Sequence, residues 1–138
     1  MANALVWPLF AMVLLTLLVW LRLYQTRLAE MKLKRIHPQR VASSAQMASL
    51  VEDTRAADNF RNLFELPVLF YAAMLLAIQA GNQSMALLVL AWAFVVLRYV
   101  HSYIHCSYNR VKDRFSAYLF SGLALWCMWG VLVWSWLV

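Results

Sequence analysis

The chain has 138 residues, is 64% hydrophobic and carries a formal net charge of +6. This length accommodates one compact helical unit and no separate soluble domain. Two cysteines cannot form a disulfide framework, and the basic residues have no interleaved aromatic platform of the kind that single-stranded nucleic acids need. We therefore expect neither a disulfide scaffold nor nucleic-acid binding.

The charged residues are confined to two blocks. All twelve Lys and Arg and all six Asp and Glu lie within 22–65 and 98–114, so that 1–21, 66–97 and 115–138 are uncharged. A hydrocarbon core of about 30 Å is crossed by about 20 helical residues and penalises unpaired charges. The pattern predicts an all-α integral membrane protein.

A polar turn at Ala80–Ser84 divides the middle uncharged stretch into two spans. The first span lacks the basic start of a secretory signal and is longer than such signals, so it is interpreted as a retained anchor. The result is a single four-helix membrane domain with spans at about 4–24, 61–80, 85–106 and 116–137.

The loops predict the orientation, because Lys and Arg in short loops stay on the cytoplasmic side. Both basic loops, about 25–60 and 107–115, are expected there, with the Gly81 turn and both termini on the non-cytoplasmic side. Met47–Asp58 is expected to be helical and to run into the second span without a break. So short a chain without a retention signal suggests the bacterial inner membrane.

Spans two and three reach membrane length only if they include polar residues. Their apolar parts, 66–80 and 85–97, are each too short. To reach the required length, span two must include Arg61, Asn62 and Glu65, and span three must include Arg98 and His101. Ionisable side chains at this depth are candidates for function.

The polar residues of these two spans share one spacing, i, i+3, i+7 and i+10, which places each set on one helix face. A short turn makes the spans neighbours, so the two stripes are expected to outline a polar pocket. The stripes are Arg55, Asp58, Asn62 and Glu65 on span two, and Arg98, His101, His105 and Tyr108 on span three.

Two interpretations of this pocket stay open. In one, Glu65 and Arg98 neutralise each other and only fasten two helices together. In the other, the pocket binds an anion, because Arg110 and Arg114 lie at its mouth with only Asp113 as a local acidic partner. Guanidinium groups bind carboxylates through two parallel hydrogen bonds, which suits an anionic ligand.

We expect no metal site in this region. His101 and His105 lie four residues apart, which is half of a metal-binding arrangement. The glutamate of the HExxH motif is absent, however, and no third ligand follows at an obvious spacing.

The segment Arg61-Asn62-Leu63-Phe64-Glu65-Leu66-Pro67 resembles a motif of the MAPEG family, the membrane-associated proteins of eicosanoid and glutathione metabolism. Further similar residues are Arg98, His101, Arg110, Arg114 and Tyr118, whose spacing is closest to the microsomal prostaglandin synthase and glutathione transferase branch. The resemblance covers essentially the whole chain. That branch has a tyrosine where this chain has His105.

The resemblance implies a homotrimer that binds glutathione between subunits on the cytoplasmic side, with a lipophilic co-substrate arriving from the bilayer. By matching position, the charged ends of glutathione would be held by Arg61, Asn62 and Glu65. His101, Arg110 and Tyr118 would line the same site, and Arg98 of the stripe also belongs to it.

The leading hypothesis is a glutathione-dependent transferase or peroxidase acting on a small lipophilic electrophile or lipid hydroperoxide. Such chemistry requires a thiolate, and Arg114 is the cation expected near the sulfur. His105 is a candidate proton donor to the leaving group. The alternative is a non-catalytic membrane subunit or lipid-binding scaffold, whose polar cluster only joins helices.

Overall fold

The structure, a computed structural model, describes residues 4–82 and 84–137. The helices are α1 Val6–Leu33, α2 Ser44–Leu50, α3 Arg55–Asn62, α4 Leu66–Gln79, α5 Met85–Cys106 and α6 Val111–Leu137, with a short 3-10 helix at Pro38–Val41. No strand occurs in the described residues, which confirms the all-α fold class.

Four helical segments are long and apolar enough to cross a membrane: Val6–Leu33, Arg55–Gln79, Met85–Cys106 and Val111–Leu137. The second of these segments consists of α3 and α4 together. The architecture is therefore that of a membrane protein with four spanning helices, as the charge pattern predicted. The side on which the termini lie stays a prediction.

The core of the bundle lies where α1, α4, α5 and α6 pack together. Phe70 of α4 stacks on Phe94 of α5 with 4.6 Å between ring centroids, and small residues such as Ala73 and Ala91 are fully buried around them. In a membrane, helices associate mainly through close packing, and small side chains allow it. The opposite helix faces expose large apolar side chains, as contact with lipid requires.

The turn between α4 and α5 depends on Gly81, whose φ of +66° is in the left-handed region. This conformation lets the N–H of Gly81 bond to the carbonyl of Ile78 and the N–H of Asn82 bond to that of Ala77, at 3.0 and 2.9 Å. The pair of bonds satisfies carbonyls that the end of α4 leaves free. A turn was predicted at this position; Gln83 lies outside the described residues.

The prediction of a continuous helix over Met47–Asp58 is wrong, because the chain is not helical between α2 and α3. The carboxylate of Glu30 on α1 accepts hydrogen bonds from the N–H groups of Glu52 and Asp53, at 2.7 and 3.2 Å. These groups are thereby satisfied without a helix, and the loop is attached to α1.

A second interruption separates α3 from α4. Pro67 has no N–H and its ring clashes with the carbonyl four residues earlier, which breaks a helix. At the break the hydrogen bonds span three residues instead of four. The N–H of Phe64 donates to the carbonyl of Arg61 at 2.9 Å, and the N–H of Glu65 donates to the carbonyl of Asn62 at 3.3 Å. The stripe from Arg55 to Glu65 therefore crosses this break, and Glu65 lies beyond the end of α3.

Candidate functional site

Arg98 lies at the centre of the predicted pocket, and its side chain is fully buried. Its Nη2 donates to the side-chain oxygen of Asn62 at 2.6 Å and to the main-chain oxygen of the same residue at 3.2 Å. Its Cζ lies 5.7 Å from the centre of the Tyr118 ring, within cation–π range. Nε and Nη1 have no acceptor in the described part of the chain. Arg98 therefore retains unused donors inside the bundle.

Glu65 reaches Arg98 only indirectly. The amide nitrogen of Asn62 donates to Oε2 of Glu65 at 3.0 Å, whereas within the described residues Glu65 and Arg98 form no ion pair. These two charges therefore make no direct ion pair in the described residues, and both interpretations of the pocket stay open. Glu65 follows the end of α3 and is exposed, so that Asn62 stands between the two charges.

Two histidines extend the same group along α5. The His101 and His105 rings are buried and meet edge to face, with 5.5 Å between centroids. Nδ1 of His101 donates to the main-chain carbonyl of Arg114 at 3.0 Å, and its ring centre lies 5.8 Å from that of Tyr118. Nε2 of His101 and Nδ1 of His105 have no partner in the described residues.

These unpartnered atoms point to a ligand. Buried polar atoms are nearly always hydrogen-bonded in proteins, and each exception needs an explanation. Here four such atoms belong to Arg98, His101 and His105, which lie at successive turns of one helix face. The arrangement is suited to a polar or anionic group that accepts hydrogen bonds from the arginine.

The other three arginines named as candidates lie further towards the loop end of the bundle. Nη1 of Arg114 donates to the side-chain oxygen of Asn109 at 2.7 Å, and this arginine is half-buried. Arg61 is exposed, with Nη1 at 3.6 Å from Oδ1 of Asp58. Arg110 is exposed as well.

The structure thus brings most of the site residues named from the sequence into one connected group, which we call the polar cluster: Glu65, Asn62, Arg98, Tyr118, His101, His105 and Arg114. Arg61 and Arg110 are not joined to the polar cluster by any side-chain hydrogen bond within the described residues, and they lie on the surface of the bundle.

The sequence analysis missed Asn59, which is completely buried. Its side chain accepts a hydrogen bond from Oγ of Ser102 at 3.3 Å and donates to Sγ of Cys106 at 3.4 Å. Asn59 lies three residues before Asn62, and Ser102 directly follows His101. A polar residue one turn from a site residue was the signal that would have revealed this contact between α3 and α5.

A clamp in the loop between α2 and α3 lies beside the polar cluster. Arg55 binds both carboxylate oxygens of Asp53 at 2.9 Å, and its Nη1 donates to the main-chain carbonyl of Ser107 at the end of α5. The hydrogen bonds from Arg55 hold the pKa of the Asp53 carboxyl below its ordinary value. The clamp fixes the loop to α5.

A comparison of the sequence with known protein families gave one match. The family model that matches is the MAPEG family, over residues 5–134, which is nearly the whole chain. No curated protein and no solved structure matched the chain significantly.

Proposed function

The chain belongs to the MAPEG family, and on this premise we propose that it is a glutathione-dependent membrane transferase or peroxidase. Its substrate class would be a small lipophilic electrophile or a lipid hydroperoxide. The observation that carries the proposal is the buried Arg98, whose Nε and Nη1 have no acceptor in the described chain. A structural ion pair does not need those donors, whereas an anionic ligand does.

Glutathione suits the polar cluster because it carries two carboxylates and one ammonium group. The exposed carboxylate of Glu65, oriented by Asn62, is available for the ammonium group. The guanidinium groups of Arg61 and Arg110 are available for carboxylates, which guanidinium binds through paired hydrogen bonds. Held in one pose, the thiol gains the proximity that accelerates a bimolecular reaction.

The proposed chemistry begins with the thiolate. A thiol with a pKa near about 8.5 is only slightly ionised at neutral pH, and a neighbouring cation lowers that value. Arg114 is the proposed cation, since its guanidinium lies at the mouth of the cluster beside Asn109. In conjugation the sulfur forms a bond to carbon, the leaving group departs with its electron pair, and His105 supplies a proton.

With a hydroperoxide, the thiolate attacks the terminal oxygen and the O–O bond breaks. The alkoxide takes a proton and leaves as an alcohol. The glutathione sulfenic acid that results reacts with a second glutathione to give the disulfide and water. Two thiols are thereby oxidised for each peroxide reduced.

We further propose that the chain is a homotrimer. Arg61 and Arg110, beside the polar cluster, and Glu65, within it, are exposed on the single chain. A second copy placed against this surface would complete the site and shield its charges from lipid. The basic loops indicate that the site opens towards the cytoplasm, and the bacterial inner membrane is the proposed location.

The competing function is that of a non-catalytic subunit. It is favoured by one observation, namely that the bonds of Arg98 to Asn62 and of Ser102 to Asn59 each join α5 to α3. In this account the cluster only holds helices together.

The two functions are separated by an assay of the purified protein with glutathione and, in parallel, a halogenated nitroarene and a lipid hydroperoxide. Turnover that saturates with glutathione and is lost in Arg98→Met is the expected result. Arg40→Gln, an exposed loop arginine away from the cluster, is the matched control. Neither turnover nor glutathione binding in the folded protein would support the non-catalytic subunit instead.

A further inference from the structure

Two separate hollows lie along α1 and α3, and we call the surface that contains both of them the groove. At the loop end there is a cavity of about 320 Å³, lined by loop residues together with Arg27 and Arg61. Towards the middle of the bundle there is an apolar trough of about 530 Å³, lined by residues such as Val13, Trp20 and Phe64. One end of the groove is therefore cationic and the other is hydrocarbon-like.

The cavity and the trough follow the same helix faces. Trp20 in the trough and Arg27 in the cavity are seven residues apart on α1, which places them two turns apart on one face. Phe60 in the trough and Arg61 in the cavity are neighbours on α3. From Val13 to Arg27, α1 rises by about 21 Å, more than the roughly 15 Å of hydrocarbon in one leaflet.

The cavity has an excess of positive charge. In the described part of the chain, Arg27 forms no ion pair, and Arg61 has only the 3.6 Å contact with Asp58. The other carboxylate in the lining, Asp53, is held through both oxygens by Arg55. One guanidinium is therefore left to bind an added anion.

The trough offers an occupant almost no polar atoms. The hydroxyl of Thr16 donates to the carbonyl of Met12 at 3.1 Å and so is turned back onto its own helix. Trp20 and Phe64 expose their rings along the trough. A lipid chain meets only apolar surface there.

We propose that this groove binds one anionic phospholipid of the cytoplasmic leaflet. Its phosphate lies against Arg27, whose guanidinium binds two phosphate oxygens. One acyl chain occupies the trough. A zwitterionic lipid brings a second cation to the same cavity and binds less tightly. The proposal does not depend on glutathione binding.

The test is native mass spectrometry of the full chain, released from mixed micelles that contain equal amounts of phosphatidylglycerol and phosphatidylcholine. One retained phosphatidylglycerol per chain is expected. Arg27→Gln lowers its retention about tenfold, the factor that corresponds to about 1.4 kcal/mol, and the Arg40→Gln control does not. Leu17→Trp, which fills the trough, lowers retention as well. Arg61 is left unchanged because it belongs to the proposed thiol site.

Equal retention of the two lipids would overturn the proposal, as would equal retention by Arg27→Gln and Arg40→Gln. A third contradictory outcome is efficient cross-linking of Leu17→Cys to a second copy, since the trough is then covered by protein. Circular dichroism checks that each variant is folded. If Leu17→Trp is not folded, the comparison of the two arginine variants decides.

Discussion

Nη2 of Arg98 lies 2.6 Å from Oδ1 of Asn62, and Glu65 reaches this pair only through the amide group of Asn62. The asparagine therefore orients a buried cation and an exposed carboxylate at the same time. Neither charge is cancelled by direct contact. Both are left available to groups of opposite sign.

The first prediction concerns the coupling between Arg98 and Asn62. Arg98→Met removes both hydrogen bonds to Asn62, whereas Asn62→Ala removes only the one to its side chain. Bonds to charged groups contribute about 1.5–3 kcal/mol. In a double-mutant cycle of unfolding in detergent, a coupling free energy of about 1–2 kcal/mol is expected.

The control cycle pairs Arg98→Met with Thr26→Ala, whose hydroxyl bonds only within α1. These effects should add to within about 0.5 kcal/mol. Equal coupling in both cycles, or none in either, would mean that the Arg98 to Asn62 contact does not stabilise the fold.

The second prediction concerns the bend in the second span. Pro67→Ala restores an N–H and removes the clash that ends α3, so the helix is expected to continue through residues 63–65. The main-chain carbonyl of Asn62 then bonds within the helix rather than to Arg98. We expect increased helicity by circular dichroism and about tenfold weaker glutathione binding.

Pro8→Ala is the matched control, because Pro8 lies in the first turn of α1, where its missing N–H costs nothing. It should leave both helicity and binding unchanged. A Pro67→Ala protein with unaltered binding would show that the bend does not position the site.

The bend illustrates which part of the site the sequence predicts. The spacing of Asn62, Glu65, Arg98 and His101 predicted that they lie close together, as they do in the structure, because helix period and neighbouring spans determine their depth. It did not predict their partners. The contact of Arg98 with a main-chain carbonyl follows from the break at Pro67, and such a break changes faces that an unbroken helix would fix.

The third prediction concerns thiol activation. Arg114→Ala removes the proposed cation beside the sulfur, so kcat/KM should fall by about 100-fold, as is typical when one electrostatic group is lost. Arg114→Lys, which keeps the charge, should restore part of the rate. The assay is the pH dependence of conjugation, whose lower limb moves to higher pH in Arg114→Ala because the thiol then ionises less readily.

Lys112→Ala, an exposed cation two residues away, controls for a general change in local charge. Unchanged turnover and an unchanged pH profile in Arg114→Ala would exclude Arg114 from the reaction.

The fourth prediction concerns the loop clamp and acid. Binding by Arg55 lowers the pKa of Asp53 in the folded state. The clamp therefore contributes fully above the unfolded-state pKa, about 4, and the contribution disappears as pH falls through the folded-state value. The protection of residues 51–54 against hydrogen exchange, relative to the intrinsic rate at each pH, should fall below about pH 4, and Asp53→Asn should be weakly protected at every pH.

Glu52→Gln is the control, because Glu52 is highly exposed and binds only Lys34 through its side chain in the described chain. Surface pairs of this kind contribute about 0–1 kcal/mol. If the protection of residues 51–54 did not change with pH in the unmodified protein, the Asp53 to Arg55 pair would not hold the loop.

The loop is where sequence reasoning was least successful. The helix predicted over Met47–Asp58 is present at both ends, in α2 and α3. Val51–Thr54 lies between these helices, because the carboxylate of Glu30 on α1 accepts hydrogen bonds from N–H groups of this segment. Local periodicity carries no information about an acceptor twenty residues away. The four spans, in contrast, follow from charge exclusion together with the polar turn at Ala80–Ser84, two signals that act on each segment separately.

The most direct test of the account is equilibrium dialysis of labelled glutathione against the purified protein and two variants, Asn62→Ala and Glu65→Gln. Arg40→Gln and empty micelles are the controls. The account predicts saturable binding to the unmodified protein and to Arg40→Gln, with affinity at least tenfold lower in both site variants. Equal affinity in all four proteins, or no saturable binding to the folded unmodified protein, would contradict it.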